Sequence, residues 1–220
     1  MKQFKLRASA GGNMLTAKGA CSKAETPKTF IKEWYITQIT GKRKVINSKY
    51  VRRGIESENL AIQRVDKDLV KNEQFFENDY FTGTPDIITD DTIIDVKCSW
   101  DAFTFPFFMK EPPMMYEAQL QIYMELTGKR KAKLCYCLEN GTMEQINQLA
   151  WQKAKDEGLD EPSIENWDEA DKDLNYDHLP EKLRIKSFEI EYNPEMIESL
   201  KESVEFAREY IETELAPFVG

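Results

Sequence analysis

The chain has 220 residues, of which 41% are hydrophobic and 31% carry charges of mixed sign. This length suits a single domain over residues 1–220, and the composition excludes a wholly disordered chain. No apolar run reaches the roughly 18 to 20 residues that a membrane span requires, and the N-terminal residues lack the apolar stretch of a secretory signal. We therefore expect a cytoplasmic protein that does not enter a membrane.

The net charge of −9 is unevenly distributed along the chain. Residues 1–55 contain 13 Lys or Arg but only Glu25 and Glu33 as acids, a net charge of +11, so the remaining 165 residues carry −20. Such asymmetry is typical of nucleic-acid binding, because a basic surface attracts phosphates. The alternative is a solvated basic surface with no partner, and charge alone does not separate the two.

The first part of the chain predicts helices. Residues 8–24 are small and polar, which favours a tight turn leading into a short helix. Thr26-Pro27 favours a helix that runs through about residue 40 and ends near Gly41. In residues 54–70 the apolar side chains recur at roughly helical spacing, which predicts a second helix.

The middle of the chain predicts strands. Residues 74–82 are rich in aromatic side chains, which suits a strand that ends before Gly83-Thr84-Pro85. Residues 87–88 and 92–97 flank a Thr-Asp-Asp turn, which predicts a β-hairpin.

The last part of the chain alternates between helical and strand patterns. It predicts a helix at 114–127, ended by glycine, and a buried strand at 131–138. A polar, acidic surface excursion with helical stretches follows at 142–180, and then a strand at 185–192 and a terminal helix at 193–214. The complete order of elements predicts an α/β (α+β) domain with a central mixed β-sheet flanked by helices.

Two aspartates and a lysine on the predicted hairpin are the best candidates for chemistry. Asp95 and Lys97 are two apart on a strand, so their side chains leave the same face. Asp86 can face them from the first arm. Carboxylate oxygens suit Mg²⁺ or Mn²⁺, and a metal held there can activate water and neutralise charge on a phosphoryl group. Lys97 could orient the water or stabilise the transition state.

Glu58 supplies a candidate third carboxylate on the second predicted helix. Gly54 and Glu58 are one helical turn apart on one face. The glycine would let this helix approach the sheet closely, so that Glu58 reaches the metal directly or through water. A solvent-exposed helix glutamate is the alternative interpretation.

These residues, taken together, resemble the PD-(D/E)XK nuclease motif. Pro85-Asp86, eight residues and then Asp95-Val96-Lys97 match its core. Gly54 with Glu58 resembles the GxxxE element of the RecB-like branch, and Gln119 with Tyr123 resembles its QxxxY element. The chain length and the segment Leu6-Arg7-Ala8-Ser9-Ala10 further resemble the phage lambda-type (YqaJ-like) alkaline exonucleases.

The resemblance implies a role for each matching residue. Asp86, Asp95 and the Val96 carbonyl would bind catalytic Mg²⁺, with Glu58 serving the same site, and Lys97 would position the nucleophilic water. Gln119 and Tyr123 would face the site, and Gln119 could hold a terminal phosphate. The candidates for binding DNA or its 5′-phosphate are Arg7 and Ser9, with Arg52 and Arg53 as alternatives, because arginine grips phosphate bidentately.

The resemblance implies a Mg²⁺-dependent exonuclease that degrades linear double-stranded DNA from a 5′ end in phage-type recombination. It also implies a homo-oligomeric ring, a trimer, and a single-strand annealing protein as partner. One alternative is another RecB-like nuclease, either an endonuclease or the CRISPR-associated type, although Cys21, Cys135 and Cys137 lack the spacing of its iron–sulfur cluster. Another is a non-catalytic DNA-binding module on a nuclease fold.

A dense aromatic run, residues 100–108, follows the predicted hairpin. Its rings could stack on unpaired bases or wedge a duplex. Packing in the core or against another subunit is the interpretation that we favour.

Overall fold

The computed structural model describes residues 2–44 and 48–219, and the other positions of the predicted domain lie outside the described residues. Its helices are α1 (Glu25–Thr40), α2 (Lys49–Val65), α3 (Met114–Thr127), α4 (Met143–Asp156), α5 (Ile164–Asp173) and α6 (Pro194–Tyr210). Its strands are β1 (Leu6–Arg7), β2 (Phe76–Glu77), β3 (Phe81–Gly83), β4 (Ile87–Ile88), β5 (Thr92–Cys98), β6 (Lys131–Cys137) and β7 (Ile185–Glu191). In the part of the chain that is described, no helix is long and apolar enough to cross a membrane.

A mixed four-stranded sheet, ordered β4-β5-β6-β7, forms the centre of the fold. The β4–β5 and β6–β7 pairs are antiparallel, whereas β5 and β6 are parallel. A parallel pair needs a crossover connection, which α3 provides between β5 and β6. The predicted α/β class and mixed central sheet are therefore confirmed.

Helices cover both faces of this sheet. Ile93 of β5 belongs to the large apolar core that includes Leu120 of α3. Ile94 and Val96 point the other way and pack with Ile62 of α2. Because neighbouring strand residues face opposite sides, Asp95 and Lys97 follow Ile93 towards the α3 side.

The second helix differs from the prediction at both ends. It begins at Lys49 rather than near residue 54, and it ends at Val65 rather than at residue 70. The Asp66 carboxylate accepts the Asp68 amide at 3.0 Å, a local turn that competes with the helix. Leu69 still packs on the apolar cluster beneath α2. The apolar spacing thus continues beyond the helix that it predicts.

The predicted strand at 74–82 is instead two short strands in a separate three-stranded sheet, ordered β1-β3-β2. The Asn78 side-chain oxygen accepts the amides of Tyr80 and Phe81 at 2.9 and 2.8 Å. This side-chain turn reverses the chain between β2 and β3.

The excursion at 142–180 contains α4 and α5. Both helices begin with a capping box, made by Thr142 with Gln145 and by Ser163 with Asn166. A small apolar cluster of their own joins the two helices.

Gly12 marks a close contact between the N-terminal segment and α3. A 3-10 helix starts directly at Ala8 and ends at Met14, without the predicted preceding turn. A Cβ atom added to Gly12 would lie 2.5 Å from the Met115 Cα. Backbone cannot yield as a flexible side chain can, so we expect Gly12→Ala to lower the free energy of unfolding by about 1–3 kcal/mol.

Urea denaturation measures this change, and Gly54→Ala is the matched control. Nothing lies within 4 Å of a Cβ added to Gly54, so alanine there should raise the free energy of unfolding by about 0.5–1 kcal/mol through helix propensity. An equal effect of the two substitutions would contradict the close packing at Gly12.

Candidate active site

Asp95 is the buried centre of the candidate site, with no exposed surface. The Gln119 side-chain amide donates to one Asp95 oxygen at 2.9 Å and also lies 3.1 Å from the Tyr123 hydroxyl. The Lys97 Nζ lies 2.5 Å from the other Asp95 oxygen. The strand spacing of Asp95 and Lys97 and the helical spacing of Gln119 and Tyr123 therefore bring four predicted residues together.

Asp86 approaches from the start of the hairpin. Its Oδ2 accepts the Val96 backbone N–H at 3.0 Å. Burial raises the pKa of Asp86 to about 7, and the neighbouring Asp95 adds to this rise. Burial lowers the pKa of Lys97, but Asp95 and Asp86 outweigh burial and leave that pKa above its ordinary value.

An open cleft of about 540 Å³ exposes Asp86 and Lys97 to solvent, whereas Asp95 is buried behind them. Its lining includes Asp86, Val96 and Lys97 from the hairpin, with Gly54 and Glu58 from α2. The cleft is therefore large enough to admit a phosphodiester and water to the buried carboxylates.

Glu58 lines the cleft, and its negative charge adds to the rise in the pKa of Asp86. Its carboxylate lies 2.6 Å from the Lys71 Nζ. Among the residues that the structure describes, no three His, Cys, Asp or Glu side chains form a group that could hold a metal ion. The expectation that Gly54 permits close approach of helix and sheet is wrong, because a Cβ there would enter open space.

The donors at the site are hard oxygens, which fit Mg²⁺ or Mn²⁺. Mg²⁺ is usually bound by one or two carboxylates, and waters and substrate phosphates complete its shell. Asp86 and Asp95 provide two carboxylates, and Val96 lines the same cleft. The pair thus suits a divalent cation without needing Glu58 as a direct ligand.

No family model and no curated protein matches the sequence. The solved structures that resemble the fold include two exonucleases. A phage-related exonuclease from Haemophilus somnus 129PT is 25% identical with a TM-score of 0.79, over 99% of this chain and 97% of that chain. The alkaline exonuclease LHK-Exo from Laribacter hongkongensis is 18% identical with a TM-score of 0.67, over 98% of this chain and 91% of that chain.

The chain is a member of the PD-(D/E)XK nuclease superfamily. The match to the Haemophilus exonuclease extends over almost the entire chain, beyond residues 54–123, which contain the motifs. Of the motif residues of this PD-(D/E)XK protein, Asp86 and Lys97 line the cleft described above, and Asp95 contacts Lys97 from the buried side.

Two of the five phosphate-binding candidates, both of them arginines, are already engaged inside the PD-(D/E)XK protein. Arg53 is only 3% exposed, and its guanidinium donates to the Ser57 hydroxyl and the Glu139 carbonyl. Arg53 therefore joins α2 to the end of β6 and cannot grip a phosphate. Arg52 forms a bidentate ion pair with Glu144 of α4.

Arg7 and Ser9 remain the accessible candidates. Both side chains are exposed at the start of the 3-10 helix that packs on α3. Gln119 is 7% exposed and its amide is engaged by Asp95 and Tyr123. The prediction that Gln119 holds a terminal phosphate therefore does not fit, and its contacts indicate that it positions Asp95.

The aromatic run at 100–108 divides between two environments. Phe105 is buried, and the centre of its ring lies 4.6 Å from that of Phe107, so the interpretation as core packing is correct for these rings. Phe103 and Phe108 are 99% and 95% exposed, whereas Trp100 lines the active-site cleft.

Tyr116 is a cleft residue that sequence reasoning missed. The Lys97 Nζ lies 5.2 Å from the centre of its ring, and the ring packs edge-on against Tyr136. Tyr116 precedes Gln119 by three residues on α3, so it shares the helix face that points to the site. This three-residue spacing from Gln119 is the feature of the sequence from which Tyr116 could have been predicted to face the site.

We expect the stabilisation of this PD-(D/E)XK protein by Mg²⁺ to increase with pH. With a pKa of about 7, Asp86 is protonated at pH 5.5 and ionised at pH 8.5, and only the ionised form binds a cation well. The same raised pKa contributes stability at low pH, which is lost as pH rises through about 7 in the absence of metal. At about 100 times Kd, Mg²⁺ should raise Tm by roughly 5–10 °C at pH 8.5.

Thermal melts at both pH values, with Mg²⁺ or EDTA, measure this difference. Asp86→Asn should abolish the pH dependence of the Mg²⁺ effect, because it removes the titrating group. Equal stabilisation by Mg²⁺ at pH 5.5 and pH 8.5 would be inconsistent with the environment of Asp86.

Proposed function

We propose that the protein is a metal-dependent DNA exonuclease that hydrolyses phosphodiester bonds of linear double-stranded DNA, from 5′ to 3′, in phage-type recombination. The observation that carries the proposal is the buried Asp95 carboxylate, which Lys97 and Gln119 hold next to an open cleft that Asp86 and Lys97 line. It is also supported by the two exonucleases whose folds resemble that of this chain.

Asp86, Asp95 and the Val96 carbonyl are the proposed ligands for Mg²⁺, with Mn²⁺ as a substitute. When bound, such a cation neutralises charge on the phosphoryl group and lowers the pKa of water. Lys97 keeps its proton because its pKa is raised, so it acts as a donor that orients water and stabilises negative charge on phosphate oxygens. Gln119 and Tyr123 fix the Asp95 carboxylate, and Glu58, paired with Lys71, contributes negative charge from the cleft wall.

The proposed substrate contact is the basic N-terminal quarter of the chain. Arg7 and Ser9 would bind the 5′-phosphate of the DNA end, because the Arg7 side chain is exposed. A ring-shaped trimer and a single-strand annealing protein are further proposals that rest on the resemblance. Light scattering tests the first, since a trimer of this 25.7 kDa chain has three times its mass.

The exonuclease proposal is tested with linear duplexes and closed circular DNA, in Mg²⁺ or EDTA. Linear duplexes labelled on one strand at a time, with or without a 5′-phosphate, report the polarity. We expect mononucleotides to be released from the 5′ end in Mg²⁺ only, and circles to stay intact. Cleavage of closed circles would overturn the exonuclease proposal, and loss of label from the 3′ end first would overturn its polarity.

A further inference from the structure

A second cavity, of about 580 Å³, lies beside the active-site cleft. It is lined by the loop that follows β5 and by residues of α4, with Leu174 and Tyr176 following α5. Trp100 lines both the active-site cleft and this second cavity. A strand that leaves the cleft past Trp100 would therefore meet the second cavity.

The lining of the second cavity combines flat aromatic surface with amide groups. Trp100 and Phe103 contribute rings, and Phe103 is 99% exposed, whereas Tyr176 lies in the lining with only 6% of its surface exposed. Gln148 and Gln152 contribute amides from the α4 side, and their amide nitrogens also donate to Glu144 and Asp156 at 3.0 and 2.8 Å. Aromatic faces stack on bases, and side-chain amides can hydrogen-bond the edges of unpaired bases.

The charges around the second cavity suit an uncharged base rather than a buried phosphate. Asp173 of the lining is 3.0 Å from Lys153, and the Asp101 carboxylate accepts the Thr104 amide at 2.8 Å. The Lys49 Nζ lies 4.7 Å from the centre of the Trp100 ring. Positive charge thus lies beside Trp100, where the backbone of a strand would pass between the two cavities.

We propose that the second cavity binds an unpaired base of single-stranded DNA that passes between the active-site cleft and this cavity. This assignment rests on the proposed exonuclease function. A base inside a duplex is already stacked on both faces, so only an unpaired base can be inserted between the aromatic loop and α4.

The test measures binding of a fluorescein-labelled dT oligonucleotide to the full chain by fluorescence anisotropy in EDTA, where cleavage does not interfere. Phe103→Ala removes a ring from the cavity, and Phe108→Ala is the control, because it removes an equally exposed ring that lines neither cavity. From the opposite wall, Gln148→Ala is compared with Asn147→Ala, which lies outside the lining.

We expect Phe103→Ala to weaken binding at least about fivefold, the lower end of the effect of one lost base stack, and Gln148→Ala to weaken it measurably. Phe108→Ala and Asn147→Ala should bind as the wild type does. A smaller loss in Phe103→Ala, or an equal loss in Phe108→Ala, would overturn the assignment of this cavity. Failure of the exonuclease proposal would appear separately, as cleavage of closed circles or no cleavage at all.

Discussion

Asp95→Asn should reduce the rate of DNA cleavage at saturating Mg²⁺ by about a thousandfold or more. The substitution keeps the shape of the side chain and an oxygen for the Gln119 amide, but removes the negative charge proposed to hold the cation. Lewis-acid stabilisation by a metal is worth several kcal/mol, and each 1.36 kcal/mol changes a rate tenfold. Single-turnover cleavage of an end-labelled duplex measures the effect.

Asp91→Asn is the matched control for Asp95→Asn. Asp91 is exposed in the turn of the same hairpin. Its carboxylate accepts a hydrogen bond from the Thr92 hydroxyl, and the described part of the structure shows no other hydrogen bond to this side chain. Its loss should leave the cleavage rate within about twofold, as expected for a surface site. If both variants cleaved like the wild type, the catalytic role of Asp95 would be wrong.

Lys97→Met should lower the cleavage rate by about a hundred- to a thousandfold, the usual effect of removing one preorganised donor to transition-state charge. Divalent-cation binding should survive or become tighter, because the ammonium group no longer occupies the Asp95 oxygen at 2.5 Å. Single-turnover rates and calorimetric titration with Mn²⁺ separate these two effects.

Lys133→Met is the control for Lys97→Met. Lys133 lies on the neighbouring strand β6, is 3.8 Å from Glu189, and is absent from the cleft lining. The Lys133→Met substitution should change neither the rate of DNA cleavage nor the binding of Mn²⁺. Loss of Mn²⁺ binding in Lys97→Met, without a matching loss in Lys133→Met, would show that Lys97 supports the metal site rather than the reaction.

The sequence predicts the centre of the site because its spacing rules are local. Asp95 and Lys97 share a strand face, and Gln119 and Tyr123 share a helix face. The periodicity of the strand or of the helix is therefore enough to place the two side chains of each pair on the same side. Gly128 ends α3 in the left-handed conformation, as its position predicts. The hairpin of β4 and β5 follows in the same way from its turn residues.

The errors arise where a distant partner decides the outcome. Arg53 looks like a phosphate ligand until the Glu139 carbonyl, 86 residues away, accepts its guanidinium. Glu58 likewise lies 2.6 Å from Lys71 beyond the end of α2, a contact that helical spacing does not predict. The aromatic run could not be divided into buried Phe105 and exposed Phe103 and Phe108, because its irregular loop has no periodicity that would assign faces.

Anomalous diffraction from crystals of the protein soaked in Mn²⁺ shows directly whether the two carboxylates hold a metal. We expect a manganese peak in contact with the carboxylates of both Asp86 and Asp95, and no such peak in crystals of Asp95→Asn. If the protein cleaves DNA in Mn²⁺ but its manganese lies elsewhere, or if the same peak persists after the substitution, Asp86 and Asp95 do not form the catalytic metal site.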